Sequence, residues 1–126
     1  MNKSRVLQAL AARYPDKKTF SIPNDNPTEI LCETDPTTNH QHYSIAVAII
    51  DESVPHYHRV TTETYTVLEE NLDLYVDGIK HLLAEGESFA IKPDQVHYAV
   101  GNETWIECHS EPGWVPEDHI LVDSNT

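Results

Sequence analysis

Three histidines and one glutamate in the middle of the chain have residue types and spacing that suit metal chemistry. His56 and His58 are separated by one residue, Glu63 follows five positions later, and His97 lies further along the chain. Side chains at positions i and i+2 of a β-strand point to the same face, so a strand would present the two histidines together. Imidazole nitrogens and a carboxylate form a mixed donor set that suits divalent ions of intermediate softness. These four residues are therefore the first candidates for a metal site.

Convergence of the four side chains depends on how the surrounding strands pair. Glu63 begins a run of β-branched and aromatic residues, Thr64–Leu68, and pairing of this run with the His56–His58 strand would bring three ligands to one side of a sheet. Tyr65 follows Glu63 by two positions, so its ring is expected on the same side. A phenol beside a metal can donate a hydrogen bond or act as an acid. The alternative is a tyrosine of the apolar core whose hydroxyl reaches the edge of that core.

The remaining histidines have weaker claims to a functional role. His40 and His42 form a second pair with one intervening residue, but no glutamate follows at a similar spacing, which favours a surface loop. His109 lies on a predicted strand and is a secondary candidate for the pocket beside the metal. The sequence around His81 and His119 indicates surface positions.

The N-terminal segment has the apolar spacing of a short helix. Its apolar residues define a single face: Val6, Leu7, Leu10, Ala11 and Tyr14. Pro15 predicts the end of this helix. Two short apolar pieces, Phe20–Ile22 and Ile30–Cys32, follow in a proline-rich stretch and are expected to be edge strands.

From Tyr43 onward the pattern is that of β-strands. Tyr43–Ile50 is apolar and rich in Ile and Val, while Leu72–Val76 alternates between apolar and polar residues. Asp77-Gly78 between Leu72–Val76 and Ile79–Leu83 predicts a two-residue hairpin. Two further reversals are expected at Glu85-Gly86 and Gly101-Asn102. Such spacing predicts a compact antiparallel barrel or sandwich, and the number of strands alone does not distinguish an immunoglobulin-like sandwich from a jelly roll.

Two stretches of the chain resemble the two motifs of the cupin superfamily. The first family motif is an HxH pair followed by a glutamate, and the second runs from a glycine through a proline to a histidine. The matching residues are His56, His58 and Glu63 in the first stretch and Gly86, Pro93 and His97 in the second. The resemblance covers residues 43–114 and is that of a small single-barrel cupin.

The resemblance implies an all-β cupin jelly-roll barrel. Together with the basic charge and apolar spacing of the N-terminal segment, it predicts a single barrel domain in residues 19–126, preceded by a basic helix or arm in residues 1–18. It also implies one divalent ion (Fe, Mn, Ni or Zn), held by the three histidines and the glutamate. Ile50 and Glu70 stand where the family has glycines. These departures lie at turn positions and leave the four ligands intact.

A metal centre of this kind favours an enzyme. Four protein ligands around an ion that prefers six leave two positions for water or substrate, which suits oxygen activation or polarisation of a carbonyl or hydroxyl. We therefore expect a metalloenzyme acting on a small polar metabolite, with dioxygenase or sugar isomerase/epimerase chemistry and with Tyr65 and His109 as catalytic candidates. The alternative is a non-catalytic cupin that binds or senses a small molecule.

The charge distribution limits the partners of the protein. Eight Lys and Arg residues face 21 Asp and Glu residues, a formal charge of −13, which argues against nucleic acid as a partner. Residues 1–18 carry five basic and one acidic group, whereas residues 19–126 carry three basic and 20 acidic groups. This asymmetry predicts a basic arm attracted to the acidic barrel or to a neighbouring subunit.

Cysteine usage and hydropathy bear on the location of the protein. Cys32 and Cys108 lie 76 residues apart without a CxxC spacing, which favours buried free thiols and a cytoplasmic protein. The sequence has no apolar run long enough to predict a membrane span. The resemblance to small cupins further implies a homodimer with a small-molecule ligand or substrate.

Overall fold

One α-helix, ten β-strands and one 3-10 helix make up the part of the chain that the computed structural model describes, residues 1–122. The helix is α1 (Lys3–Arg13), and the 3-10 helix is Pro116–Asp118. The strands are β1 (Thr19–Ile22), β2 (Glu29–Asp35), β3 (Ser44–Glu52), β4 (His56–Tyr57), β5 (Thr62–Glu69), β6 (Leu72–Val76), β7 (Ile79–Leu83), β8 (Ser88–Ile91), β9 (His97–Glu111) and β10 (Ile120–Leu121). The expected all-β architecture with an N-terminal helix is confirmed.

The long strand β9 is the centre of a curled antiparallel jelly-roll sheet. The strand order is β1-β2-β3-β9-β4-β10, and β9 also pairs with β5 and β6. Burial alternates along the strands: in β5, Glu63, Tyr65 and Val67 are buried while the residues between them are half-exposed. This two-residue period turns one face of each strand into the barrel, where Leu72, Leu74 and their neighbours form the interior core.

Two of the predicted reversals are turns, and the third is not. Asp77 and Gly78 adopt positive φ angles of 49° and 80° and connect β6 to β7, which confirms the hairpin. Glu85-Gly86 also forms a turn. Gly101-Asn102, by contrast, lies inside β9. There a Cβ on Gly101 would collide with the Thr104 side chain, so the glycine permits a bend within one strand rather than a reversal.

The proline-rich stretch contributes one edge strand and one internal strand. β1 lies at the end of the strand order, as expected for Phe20–Ile22. The expectation for Ile30–Cys32 was wrong, because β2 lies between β1 and β3 and pairs with both. No proline falls within β2, so all its backbone N–H groups remain available for the two ladders.

The helix α1 packs on the outer face of the sheet. Its buried residues Val6 and Leu10 join a second core cluster with Ile30, Cys32, Val47, Ile49 and Trp105. The helix begins at Asn2, whose side chain accepts a hydrogen bond from the Arg5 N–H at 3.0 Å, and it ends before Pro15 as the sequence predicts. With 11 residues α1 is too short to cross a membrane, and no helix within residues 1–122 meets the requirements for a span.

Ion pairs between α1 and the barrel also contribute to the packing of the helix on the sheet. Arg5 lies 2.7 Å from Glu103 and Arg13 lies 2.8 Å from Glu69, so the basic helix meets acidic groups of the barrel. The Arg13 guanidinium also lies 4.1 Å from the centre of the Trp105 ring. The predicted attraction between the two oppositely charged parts therefore takes the form of contacts within one chain.

Candidate metal centre

The three histidines and the glutamate meet inside the barrel. His56 lies on β4, His58 directly follows that strand, Glu63 lies near the start of β5 and His97 begins β9. One donor atom from each residue lies within 4.8 Å of the others, and each residue is at most 7% exposed. The structure thus brings together the full set of candidate ligands.

The strand pairing that achieves this differs from the expected one. We expected the His56–His58 strand to pair with the strand of Glu63. Instead β4 pairs with β9, which sets His56 directly opposite His97, and β5 pairs with β8 and β9. The ligands converge because the barrel curls, bringing the face of β5 opposite the face of β4.

Main-chain carbonyls fix the orientation of all three imidazoles. Nδ1 of His56 lies 2.8 Å from the Val54 carbonyl oxygen, and Nδ1 of His58 lies 2.8 Å from the Asp118 carbonyl oxygen. Nδ1 of His97 lies 2.9 Å from the Gln95 carbonyl oxygen. A carbonyl can only accept a hydrogen bond, so each Nδ1 carries the proton. In the neutral form, each Nε2 then presents a lone pair toward the cluster.

At the centre of the cluster, hydrogen-bond acceptors face one another with no cation and no hydrogen-bond donor from residues 1–122 between them. The Glu63 oxygens lie 3.6 Å from Nε2 of His58 and 3.6 Å from Nε2 of His97. Within residues 1–122, both of these Nε2 atoms are buried without a hydrogen-bond partner. Ser110 Oγ donates to Glu63 at 3.3 Å, which satisfies only part of the carboxylate. Neutral imidazoles and a carboxylate repel one another unless a proton or a metal cation lies between them, so the residues present fit a divalent ion.

The pKa shifts reflect this shortage of positive charge. Burial, together with the nearby His97 and His119, lowers the pKa of His56 to about 3. Burial alone would lower the pKa of His58, but the Glu63 carboxylate, 3.6 Å from its Nε2, outweighs burial and the pKa is raised. The two histidines hold the pKa of Glu63 well below its usual range, against the effect of its burial. The cluster thus contains a carboxylate and at least one neutral imidazole at neutral pH.

Asp118 supports the cluster from outside. Its carboxylate accepts hydrogen bonds from the backbone N–H groups of Arg59, Val60 and Thr61, at 2.8 to 3.2 Å. Its carbonyl accepts the Nδ1–H of His58. One residue of the 3-10 helix therefore holds both the ring of His58 and the loop that follows it.

A cavity of about 540 Å³ opens beside the ligands. Tyr65 lines it as parity predicts, and burial together with the neighbouring Glu63 charge raises its pKa well above 10, so the group is a hydrogen-bond donor rather than a base. His119 also lines the cavity, stacked on His56 at 4.2 Å between ring centres. The surface position expected for His119 was therefore wrong.

The tautomer of the His119 ring follows from its hydrogen bond with Trp114. Trp114 Nε1, which can only donate, lies 3.2 Å from Nδ1 of His119. Burial lowers the pKa of His119, so the ring is neutral and carries its proton on Nε2. Sequence patterns gave no signal for this residue, because His119 follows a short 3-10 helix rather than a strand with a regular period.

His109 and the second HxH pair lie elsewhere. Cys108 and Ser110 line the cavity, and His109 between them on β9 faces the other side of the sheet and stacks on Tyr43. His109 is therefore not retained as a catalytic candidate. His40 pairs with Asp35 at 2.9 Å in a loop. Cys32 and Cys108 are both buried and free, as expected.

The described residues thus form a curled antiparallel barrel with a metal-site-like cluster of three histidines and a glutamate converging inside it. The Cupin domain family model matches residues 44–109, and the chain belongs to the cupin family. The resemblance found in the sequence is confirmed.

Solved structures of other small cupins share the fold. Pac13 from Streptomyces, a nucleoside dehydratase solved with uridine, is 10% identical, with a TM-score of 0.75 and coverage of 87% of this chain and 88% of that one. The polyketide cyclase RemF from Streptomyces resistomycificus is 16% identical, with a TM-score of 0.68 and coverage of 87% and 82%. Ectoine synthase from P. lautus is 14% identical, with a TM-score of 0.64 and coverage of 81% and 84%. A search of curated protein sequences found no match.

Proposed function

We propose that the protein is a metal-dependent enzyme acting on a small molecule, with one divalent ion (Fe, Mn, Ni or Zn) held by His56, His58, Glu63 and His97. The observation that carries this proposal is the convergence of four buried metal-ligand atoms, two of which, Nε2 of His58 and Nε2 of His97, have no hydrogen-bond partner among residues 1–122. A barrel that needed only a core would place apolar side chains there, because buried polar groups without partners are costly.

The neighbouring residues suit catalysis beside such an ion. When bound, a divalent ion with open positions supplies a Lewis acid that polarises an oxygen of a ligand. His119 offers an Nε2–H and Tyr65 offers a phenolic O–H to a molecule in the cavity. The structural relatives described as a dehydratase, a synthase and a cyclase support an enzyme that acts on small molecules, and they extend the expected reaction types beyond oxygenation and isomerisation.

Elemental analysis of the purified protein tests the metal site. We expect about one equivalent of a divalent metal per chain, and a strong loss of metal in His56→Ala and His58→Ala. His40→Ala and His42→Ala are matched controls, since they remove the other HxH pair, and they should retain the parent metal content. Equal metal content in all four variants, with β-sheet circular dichroism preserved, would contradict the assignment.

Turnover separates the enzyme from the alternative, a binding or sensor cupin. The metal-loaded protein is incubated with pooled metabolites, and product formation is followed by mass spectrometry beside a thermal-shift assay. An enzyme consumes a compound that also shifts the melt, and His58→Ala abolishes the consumption. Thermal shifts without any product would instead favour the binding module.

We also propose that the protein is a cytoplasmic homodimer. The two buried free thiols suit a reducing compartment, and the apolar Ile79 and Leu82 on β7 are 62% and 70% exposed, which offers an apolar surface for a second copy. Sedimentation velocity checks the dimer: a parent that sediments as a dimer and a monomeric Leu82→Lys variant are expected. A monomeric parent at micromolar concentration would exclude it.

A further inference from the structure

Strand β2 forms one wall of the cavity, and two glutamate side chains lie on this wall. Glu29, Leu31 and Glu33 alternate along the strand and line the cavity, while Ile30 and Cys32 between them face α1. Strand parity therefore commits both glutamates to the side of the cavity. Neither belongs to the cluster of four ligands.

The remaining walls are mostly apolar. Phe20, Leu31, Val54, Trp114 and Leu121 line the space, and three of them also form its mouth. Phe20 and Val54 are 46% exposed and Leu121 is 60% exposed. Apolar side chains left in water around the opening of a cavity indicate that an apolar body enters there.

Among the lining residues that the structure describes, the cavity has no side chain suited to an anion at the β2 wall. Among residues 1–122, neither a lysine nor an arginine lines it. Burial and the nearby Glu63 charge raise the pKa of Glu29 to about 7, and no hydrogen bond or ion pair with a described residue stabilises its ionised form. A carboxyl group in this state accepts a donor or a cation readily, whereas a second anion beside it is disfavoured.

We propose that the cavity takes a ligand with an apolar ring-sized body and a neutral or cationic polar head, selected by Glu29 and Glu33, and that it rejects organic anions. This inference deepens the proposed function and rests on the same cavity. It replaces the expected small polar metabolite by a more amphipathic class of substrate. Glu29 and Glu33 act as specificity-determining residues, separate from the ligands of the metal.

Three probes with one ring system and different heads test the proposal. Tryptamine is cationic, tryptophol is neutral and indoleacetate is anionic, and all carry the same indole. Binding to the metal-free protein is measured by calorimetry, because a metal would attract the carboxylate of indoleacetate directly. We expect tryptamine and tryptophol to bind at least about tenfold more tightly than indoleacetate, which corresponds to about 1.4 kcal/mol.

Variants identify the groups responsible. The double variant Glu29→Gln with Glu33→Gln should bring the affinities for tryptamine and indoleacetate to within about threefold, whereas the exposed Glu85→Gln on a distant turn should leave the preference unchanged. Leu121→Ser at the mouth should weaken all three probes together. Its side chain is largely exposed, so the change is compatible with folding.

The outcomes separate this inference from the metal site. A preference for tryptamine in a protein that never binds metal would support the cavity and overturn only the proposed metalloenzyme. Indoleacetate binding as tightly as tryptamine to the metal-free protein would overturn the inference. The absence of binding by every indole probe at millimolar concentration, or stronger binding of glucose, would overturn it equally.

Discussion

The three imidazoles point to the same place because a main-chain carbonyl accepts a hydrogen bond from the Nδ1–H of each ring, on the side away from the cluster. The carbonyls of Val54 and Gln95 belong to residues two positions before His56 and His97, so these two rings are oriented by their own strands. His58 is different, since its partner is the carbonyl of Asp118, sixty positions away in the sequence. The orientation of His58 therefore depends on how the C-terminal segment returns to the barrel.

Asp118→Ala is expected to weaken metal binding without removing a ligand. The change leaves three backbone N–H groups of the 59–61 loop without their acceptor and loosens the contact to His58. Losses of supporting hydrogen bonds around metal ligands cost about 10–100-fold in affinity. Titration with a chromophoric competitor measures this, with the exposed neighbour Glu117→Ala as the control. Unchanged affinity in Asp118→Ala would show that the loop holds its shape without the carboxylate.

Glu29 is expected to make the metal-free protein less stable as the pH rises. Its pKa is raised from 4.5 to about 7 in the fold, so the folded chain binds more protons than the unfolded chain between these values. The free energy of unfolding therefore falls as the pH rises from 4.5 through 7. Relative to the parent, Glu29→Gln should be near neutral at about pH 4 and stabilising by at most about 3 kcal/mol at about pH 8.

Urea denaturation at several pH values measures this difference. Glu85→Gln is the control, since an exposed glutamate should shift stability little at any pH. A Gln variant that is less stable than the parent at high pH would mean that the Glu29 carboxylate has a stabilising partner in solution.

At the scale of elements, β9 connects the cluster of four candidate ligands to the rest of the barrel. Its first residues pair with β4 and β6, and its later residues pair with β3 and β5. The bend at Gly101 and the positive φ of 46° at Glu103 separate the two halves. One strand thus carries His97 at its start and Ser110, the donor to Glu63, near its end.

Local patterns predicted what depends on local geometry. The i, i+2 spacing placed His56 with His58 and Glu63 with Tyr65, and the Asp77-Gly78 pair predicted its hairpin, because side-chain parity and turn preferences are properties of a few residues. The family resemblance then supplied the link to His97. The pairing of β4 with β9 joins segments about forty residues apart, and no short pattern encodes which distant strand is the neighbour.

Two of the predictions made from the sequence were wrong because each position depends on contacts with distant parts of the chain. Gly101-Asn102 predicted a reversal because glycine permits both turns and bends within strands, and only the pairing of the flanking residues with β6, β3 and β5 distinguishes them. The surface position expected for His119 was wrong because the place of this residue in the cavity depends on the return of the C-terminal segment to Trp114 and His56.

The docking of α1 is expected to depend more on apolar contacts than on charge. Leu10 is fully buried against the outer face of the sheet, and Leu10→Ala should cost about 2–5 kcal/mol of stability. The Arg5 side chain is largely exposed in its ion pair with Glu103, so Arg5→Ala should cost about 1 kcal/mol or less and lose its effect at high salt. Thermal melts at low and high salt separate the two terms. A larger loss in Arg5→Ala than in Leu10→Ala would reverse this order.

At the scale of the whole molecule, the described part of the chain, residues 1–122, has two apolar cores, and the polar cluster belongs to neither. The interior core includes Leu72, Leu74 and Ile106, and the outer core lies between α1 and the sheet. Both are formed by side chains that require no ion. Protonation of His58, whose pKa is raised, can also supply positive charge to Glu63 when metal is absent.

The metal-free protein is therefore expected to remain folded, so that the ion serves the site rather than the fold. Domains that need a metal to fold have cores too small to offset the chain entropy, and this 126-residue chain is above that range. Metal should then stabilise by mass action, by about 2.7 kcal/mol at a hundredfold excess over the dissociation constant. Melts in chelator and in added metal measure this by circular dichroism, and His58→Ala is the control that should show no metal-dependent shift. Loss of the β-sheet signal on chelation would make the ion structural, and would remove the main support for an enzyme whose metal faces an open cavity.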